Sequence, residues 1–250
     1  MGSTAKRQVE ERFSKSMPGD HRNLDRLRAV TRLLPTDGRL LEIGVWDGLS
    51  MQCYRERFKG EAYGIDLSHK ILDKAAHLFN EVKACDLDEE DIPFEDGFFD
   101  LVVCGEVIEH IRDTDGLILK IARVLRPEGC LIISTPNLAS ILNRVFICMG
   151  LQPLYTEVSS RKSTYGNRFR RDLVPPGHIR NFTYGAFKEI VEHNGFSIVR
   201  KTAVAASRYS LVNAIERLAS SVAVSLGSII ILKCRKEDQG RKDLPRHVTE

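Results

Sequence analysis

Beyond residue 38 the sequence alternates short, almost wholly apolar runs with longer amphipathic stretches. Residues 39–43, 62–65, 82–85, 101–104 and 130–134 are dominated by Leu, Ile, Val, Ala and Cys, which predicts strands buried on both faces. The stretches between them, 48–58, 69–80, 106–112 and 115–125, predict helices. Such alternation implies a mostly parallel sheet covered by helices, the Rossmann-like α/β class. Upstream, 5–34 predicts a helical cap, with Leu24, Leu27, Val30, Leu33 and Leu34 at helical spacing and Pro35 ending it. Beyond Pro136 the rhythm breaks. Residues 137–180 mix Tyr155, Tyr165, basic residues and Pro175-Pro176-Gly177, and a long interruption of a regular fold predicts an inserted lid. The alternation then resumes. Thr183 is the expected N-cap of a helix to His193 closed by Asn194-Gly195, followed by a strand at 196–204, a helix near 210–222 and a last strand at 228–234. One domain is therefore expected over 1–236, with a charged tail at 237–250.

Composition narrows this picture only a little. Apolar residues at 42% and charged residues at 28% fit a globular chain, and a net charge of +3 gives no argument for nucleic acid. The charge is unevenly spread: Arg161, Lys162, Arg168, Arg170, Arg171 and Arg180 face a single acid, Asp172, in the lid region. The six cysteines form no CxxC pair and no metal-ligand spacing, so free thiols in a reducing, cytoplasmic setting are expected. The polar N-terminus has no apolar signal region. The longest apolar stretch, 211–232, is interrupted by Asn213, Glu216, Arg217 and Gly227, which argues against a membrane span.

Chemistry enters at the ends of the strands. Leu41-Glu42-Ile43-Gly44-Val45-Trp46-Asp47-Gly48 closes the first strand in a glycine-containing turn, where open α/β sheets bind ligands. Asp66 ends the second strand at the place where a carboxylate accepts both hydroxyls of a ribose. Asp86, followed by Leu87, ends the third, within reach of an adenine amino group. Then come Pro93-Phe94-Glu95-Asp96-Gly97-Phe98-Phe99-Asp100-Leu101-Val102-Val103-Cys104-Gly105-Glu106-Val107-Ile108-Glu109-His110 and Leu125-Arg126-Pro127-Glu128-Gly129-Cys130-Leu131-Ile132-Ile133-Ser134-Thr135-Pro136-Asn137.

These five blocks, in this order, resemble the class I S-adenosylmethionine (SAM)-dependent methyltransferases, and within them the branch of the ubiquinone-pathway O-methyltransferases. The resemblance covers roughly residues 38–137 and echoes weakly at Gly177-His178-Ile179-Arg180. It implies a seven-stranded sheet with an antiparallel last strand and SAM as cofactor. It also implies cofactor contacts from Glu42 and Gly44 at the methionine end, Asp66 and Leu67 at the ribose, Asp86 and Leu87 at the adenine, and Glu106 after the fourth strand. Where Trp46 stands, the family turn usually carries glycine, so the indole must point out of the turn or cover the cofactor.

The sulfonium of SAM is itself a good electrophile, so the protein's task is alignment, exclusion of water and activation of the acceptor. On a helix over 106–112, Glu106, Glu109 and His110 share one face and can bind a divalent cation. The resemblance adds His178, the counterpart of a second histidine that completes such a site in small-RNA 3′-end methyltransferases. The plainer reading leaves Glu106 near the cofactor and makes His110 a packing residue or the catalytic base, with His178 the second base candidate. The basic lid run is either a solvated face or a recognition surface for an acidic acceptor. The expected reaction is O-methylation of a small-molecule or glycan-type acceptor. A catalytically silent SAM-binding module remains an alternative. So does an NAD(P)-binding oxidoreductase, although the turn is not G-x-G-x-x-G and no Tyr-x-x-x-Lys pair is present.

Overall fold

The computed structural model describes residues 24–167, 169, 177–206 and 210–237. Part of the expected N-terminal cap (5–23), nearly all of the tail and the lid residues Arg168, Arg170 and Arg171 lie outside the described residues.

The apolar runs form β1 (Arg39–Ile43), β2 (Glu61–Asp66), β3 (Glu81–Ala84), β4 (Phe99–Gly105), β5 (Leu125–Pro136), β6 (Phe196–Val204) and β7 (Ile229–Lys236). They lie in one sheet in the order β3-β2-β1-β4-β5-β7-β6. The first five are mutually parallel, and β7 runs antiparallel to both β5 and β6. The helices are α1 (Leu24–Leu33), α2 (Leu49–Tyr54), α3 (His69–Ala75), α4 (Thr114–Val124), α5 (Ile141–Cys148), α6 (Tyr184–His193) and α7 (Ser210–Val222).

Because side chains alternate across a strand, consecutive apolar residues fill two cores. Leu41, Val102, Cys104, Leu131 and Ile133 pack with Leu117, Ile118 and Ile121 of α4 and Phe187 of α6. Their neighbours Leu40, Leu101, Val103 and Ile132 pack on the opposite face with Leu27 and Val30 of α1 and Met51 and Tyr54 of α2. Thr183 caps α6 as expected, its hydroxyl accepting from the Ala186 N–H, and Gly195 takes the left-handed φ of 88° that ends the helix.

Two expectations need correction. Residues 106–112 do not form an α-helix; only a 3-10 turn, Ile108–His110, is present. Glu106 adopts φ 58°, outside helical space, because its N–H is drawn to the Ser134 carbonyl of β5. The insertion, in turn, contains α5, which the sequence pattern did not suggest. Its ends meet where Asn137 bridges to Phe182. Asn137, fully buried, donates its amide to the Ser225 and Gly227 carbonyls, while Asn143 of α5 donates to the Asn137 and Leu154 carbonyls. Among the described residues, no helix is long and apolar enough to cross a membrane.

Candidate active site

The parallel strands all end at one edge, and the strand order reverses between β1 and β4, so the topology brings the predicted contacts to that edge. Glu42 and Gly44 belong to β1 and its turn, Asp66 ends β2 with Leu67 directly after it, Asp86 and Leu87 lie in the turn after β3, and Glu106 directly follows β4. Gly44 has φ 79°, and a Cβ there would stand 2.6 Å from Cγ2 of Val107. Only glycine leaves this space open. The Asp66 carboxylate accepts the Trp46 N–H at 3.1 Å and the Ser68 N–H at 3.0 Å, which clamps the turn to β2. Each carboxylate oxygen keeps a further lone pair for a ribose hydroxyl. Asp86 closes a surface turn, accepting from the Asp88 N–H, and Leu87 packs on the α4 core. Trp46 stands half-buried at φ 50°, the backbone conformation that explains the glycine usual at this position.

Glu42 is 3% exposed, and its Oε2 has no hydrogen-bond partner. Burial pushes its carboxyl up to about 8, against the opposing pull of Ser50 and Arg26. Arg26 is a site residue that the sequence reading missed. It reaches from α1 across the end of β4, where a Cβ on Gly105 would stand 2.5 Å from its guanidinium. Its charge lowers the pKa values of Glu42, Glu106 and Glu109 together, although burial prevails at all three and raises them. A guanidinium among carboxyl groups, beside the unpartnered Oε2 of Glu42, fits a ligand end that carries both a carboxylate and an ammonium, as methionine does.

The second cluster lies beneath the insertion. Ligand atoms of Glu109, His110 and His178 all fall within 4.8 Å of one another. Glu109 is buried; its Oε2 accepts the Thr135 hydroxyl at 3.2 Å, and its Oε1, with no hydrogen-bond partner, lies 3.9 Å from His178 Nε2. The insertion returns over this point, with the Ile179 and Arg180 N–H groups both donating to the Glu109 carbonyl. Its residues Leu154, Tyr155, His178 and Arg180 line a narrow space above Glu109.

Both imidazoles are oriented through Nδ1. A carbonyl can only accept, so His110 Nδ1 donates to the Gly177 carbonyl at 3.2 Å and His178 Nδ1 to the Tyr155 carbonyl at 3.0 Å. Glu157 stands 3.6 Å from the same His178 nitrogen and accepts the His178 backbone N–H at 2.9 Å. In its neutral form each ring then presents Nε2 as the acceptor nitrogen, as ligation requires. Burial lowers the His110 pKa, which keeps the ring neutral. A buried carboxylate oxygen with no donor, beside two Nε2 lone pairs, fits a divalent cation. Glu106 does not join this group: its carboxylate accepts the Ser134 hydroxyl at 3.1 Å. The expected four-residue set is thus three residues, since the helix meant to align Glu106 with Glu109 is absent. Thr135 and Glu157, like Arg26, escaped the sequence reading; of the three, Thr135 at least lies inside a recognised block.

Comparison with known proteins bears on the fold and the family. Residues 41–133 match the family model described as a methyltransferase domain. The ubiquinone biosynthesis O-methyltransferase of Xanthomonas axonopodis pv. citri is 28% identical over 170 residues, covering 66% of this chain and 68% of that protein. Its namesake in Xanthomonas campestris pv. campestris (strain B100) is 29% identical over 156 residues, 60% of this chain and 62% of its own. Among solved structures, a SAM-dependent methyltransferase of Mesorhizobium loti aligns with a TM-score of 0.55 at 18% identity, covering 85% of this chain and 96% of its own. Another from Thermotoga maritima aligns at 0.59 and 17% identity, covering 94% and 96%. The motif blocks, the sheet order and these likenesses agree: residues 41–133 match a methyltransferase domain, and the chain is similar to the class I SAM-dependent methyltransferases.

Proposed function

We propose that the enzyme transfers the SAM methyl group to a hydroxyl of a small-molecule or glycan-type acceptor bound beneath the insertion, with a divalent cation held by Glu109, His110 and His178. The convergence of these three residues, with both rings oriented through Nδ1, carries the reading. The names of the O-methyltransferase relatives support oxygen as the acceptor atom. SAM supplies an activated methyl group, and a cation at this cluster would lower the pKa of an acceptor hydroxyl. The chain's own residues bind and orient. Arg26 and Glu42 address the methionine end, Asp66 and Leu67 the ribose, and Asp86 and Leu87 the adenine. Glu106 lies near the cofactor, and the insertion excludes water. The exposed Arg161, Lys162 and Arg180 suit an acidic acceptor group.

The test is chelation. Metal-stripped enzyme should lose turnover and regain it with Mg²⁺, Mn²⁺ or Zn²⁺, and Glu109→Gln should abolish that response while leaving affinity for S-adenosylhomocysteine intact. Chelator-resistant turnover at the original rate would refute the metal. A second reading rests on the buried, neutral His110, which can itself take the acceptor proton. On that reading chelators do nothing, and the rate falls as acid protonates His110, below the ordinary imidazole range.

A further inference from the structure

Helix α7 carries its polarity inside out. Its inward face holds Glu216, 1% exposed, whose carboxylate accepts the Ala206 N–H at 3.1 Å and the Ser228 hydroxyl at 2.6 Å. Asn213 also points inward, its Oδ1 buried. The outward face holds Leu211, Ile215, Leu218 and Val222, exposed at 73%, 52%, 71% and 79%. A helix lying on a monomer's surface places its apolar stripe the other way. We infer that α7 is an interface helix, and that two copies of this chain pair α7 against α7 across a two-fold axis.

Three observations favour a second copy over other occupants. The stripe advances in alternating steps of four and three residues, the 3.5-residue period of one helix seated along another. Its flanks are Ala214, Ala219 and Ser221, small and uncharged, so a partner helix can approach closely and meets no like charge across the axis. A helix lying in a lipid surface instead carries several Lys or Arg beside its apolar face. The single cation of α7, Arg217, is bound to Asp25 of α1 at 2.5 Å. The third observation is area. Each of the four side chains offers about 100 Å² of apolar surface. A stable pair needs about 800 Å² per partner. Apolar surface close by narrows the shortfall: Leu24, 46% exposed, adjoins Asp25, and Val145 and Met149, at 46% and 61%, lie on or beside α5, which packs next to α7.

The experiment is the solution mass of the full chain by light scattering and sedimentation equilibrium at micromolar concentration. Twice the 28.2 kDa chain mass is expected for the wild type. Leu218→Glu and Ile215→Glu should each return the single-chain mass with unchanged thermal midpoint and unchanged S-adenosylhomocysteine affinity, whereas Leu218→Met should remain paired. A wild type of single-chain mass overturns the proposal. If that monomer sediments with vesicles of phosphatidylcholine and phosphatidylglycerol, the face is a lipid surface instead. A wild-type dimer that survives both glutamate substitutions overturns it as well, because its interface then lies elsewhere.

Discussion

Glu42 links the cofactor crevice to pH. Burial raises its carboxyl from 4.5 to about 8. Between those values the unfolded chain has released this proton and the folded chain still holds it. The folded state therefore binds more protons, and its stability falls as pH rises. The contribution is complete below the unfolded pKa and is lost on passing the folded one. The slope for one such proton is about 1.4 kcal/mol per pH unit, and its full span across the shift is on the order of 5 kcal/mol. Glu42→Gln keeps the shape and removes the proton. Denaturant unfolding of the ligand-free protein at intervals from pH 5 to 9 should show the variant's stability declining less steeply than the wild type's, by about that slope. Glu106 and Glu109 are raised in the same direction and remain in both proteins, so the difference between the two curves isolates Glu42. Binding provides a second readout. The ammonium and sulfonium of SAM favour ionised Glu42, so near neutral pH the wild type should release close to one more proton on binding than the variant. Calorimetry in two buffers of different ionisation enthalpy measures that proton. Parallel stability curves and equal proton release in the two proteins would refute the argument.

Other outcomes follow from the same crevice. Asp66→Ala should weaken SAM binding by about 1–3 kcal/mol through loss of charge-assisted hydrogen bonds to the ribose, and unchanged affinity in calorimetry would remove Asp66 from the site. Trp46→Gly should be more stable than Trp46→Ala by about 1 kcal/mol, because at φ 50° alanine keeps the left-handed cost and glycine does not; equal thermal midpoints would mean that the turn relaxes once the indole is gone.

The strands were the legible part of the sequence. Arg39–Ile43 coincides with the observed strand because four of its five residues are buried, and Phe196–Val204, an exposed edge strand, coincides because Asn194-Gly195 marks where the preceding helix ends. The placement of the acids Glu42, Asp66 and Asp86 at the strand ends was legible for a related reason, since each lies in or just after such a run and topology brings the strand ends together. Residues 106–112 misled, because an apolar period cannot register that Glu106 is held out of helical space by Ser134, a contact with a distant strand. Helix α5 was obscured by exposed Val145 and Ile147, which erase its polar face. Arg26 gave no local signal. Its significance comes from the three buried carboxyl groups that converge on it in space.

The meeting of Asn137 with Phe182 has an evolutionary consequence. A long excursion whose two ends are pinned side by side, one at the end of β5 and the other just before α6, costs the sheet little, since closure entropy grows only with the logarithm of loop length. Such a segment can be lengthened, shortened or exchanged as a cassette while the SAM half stays untouched. Here the cassette is not neutral cargo. It carries His178, while Glu109 and His110 belong to the framework, so under the proposed function a transplanted segment that shapes a new acceptor pocket must bring its own histidine to the same spot. On that proposal, acceptor choice and the chemistry at Glu109 are inherited together.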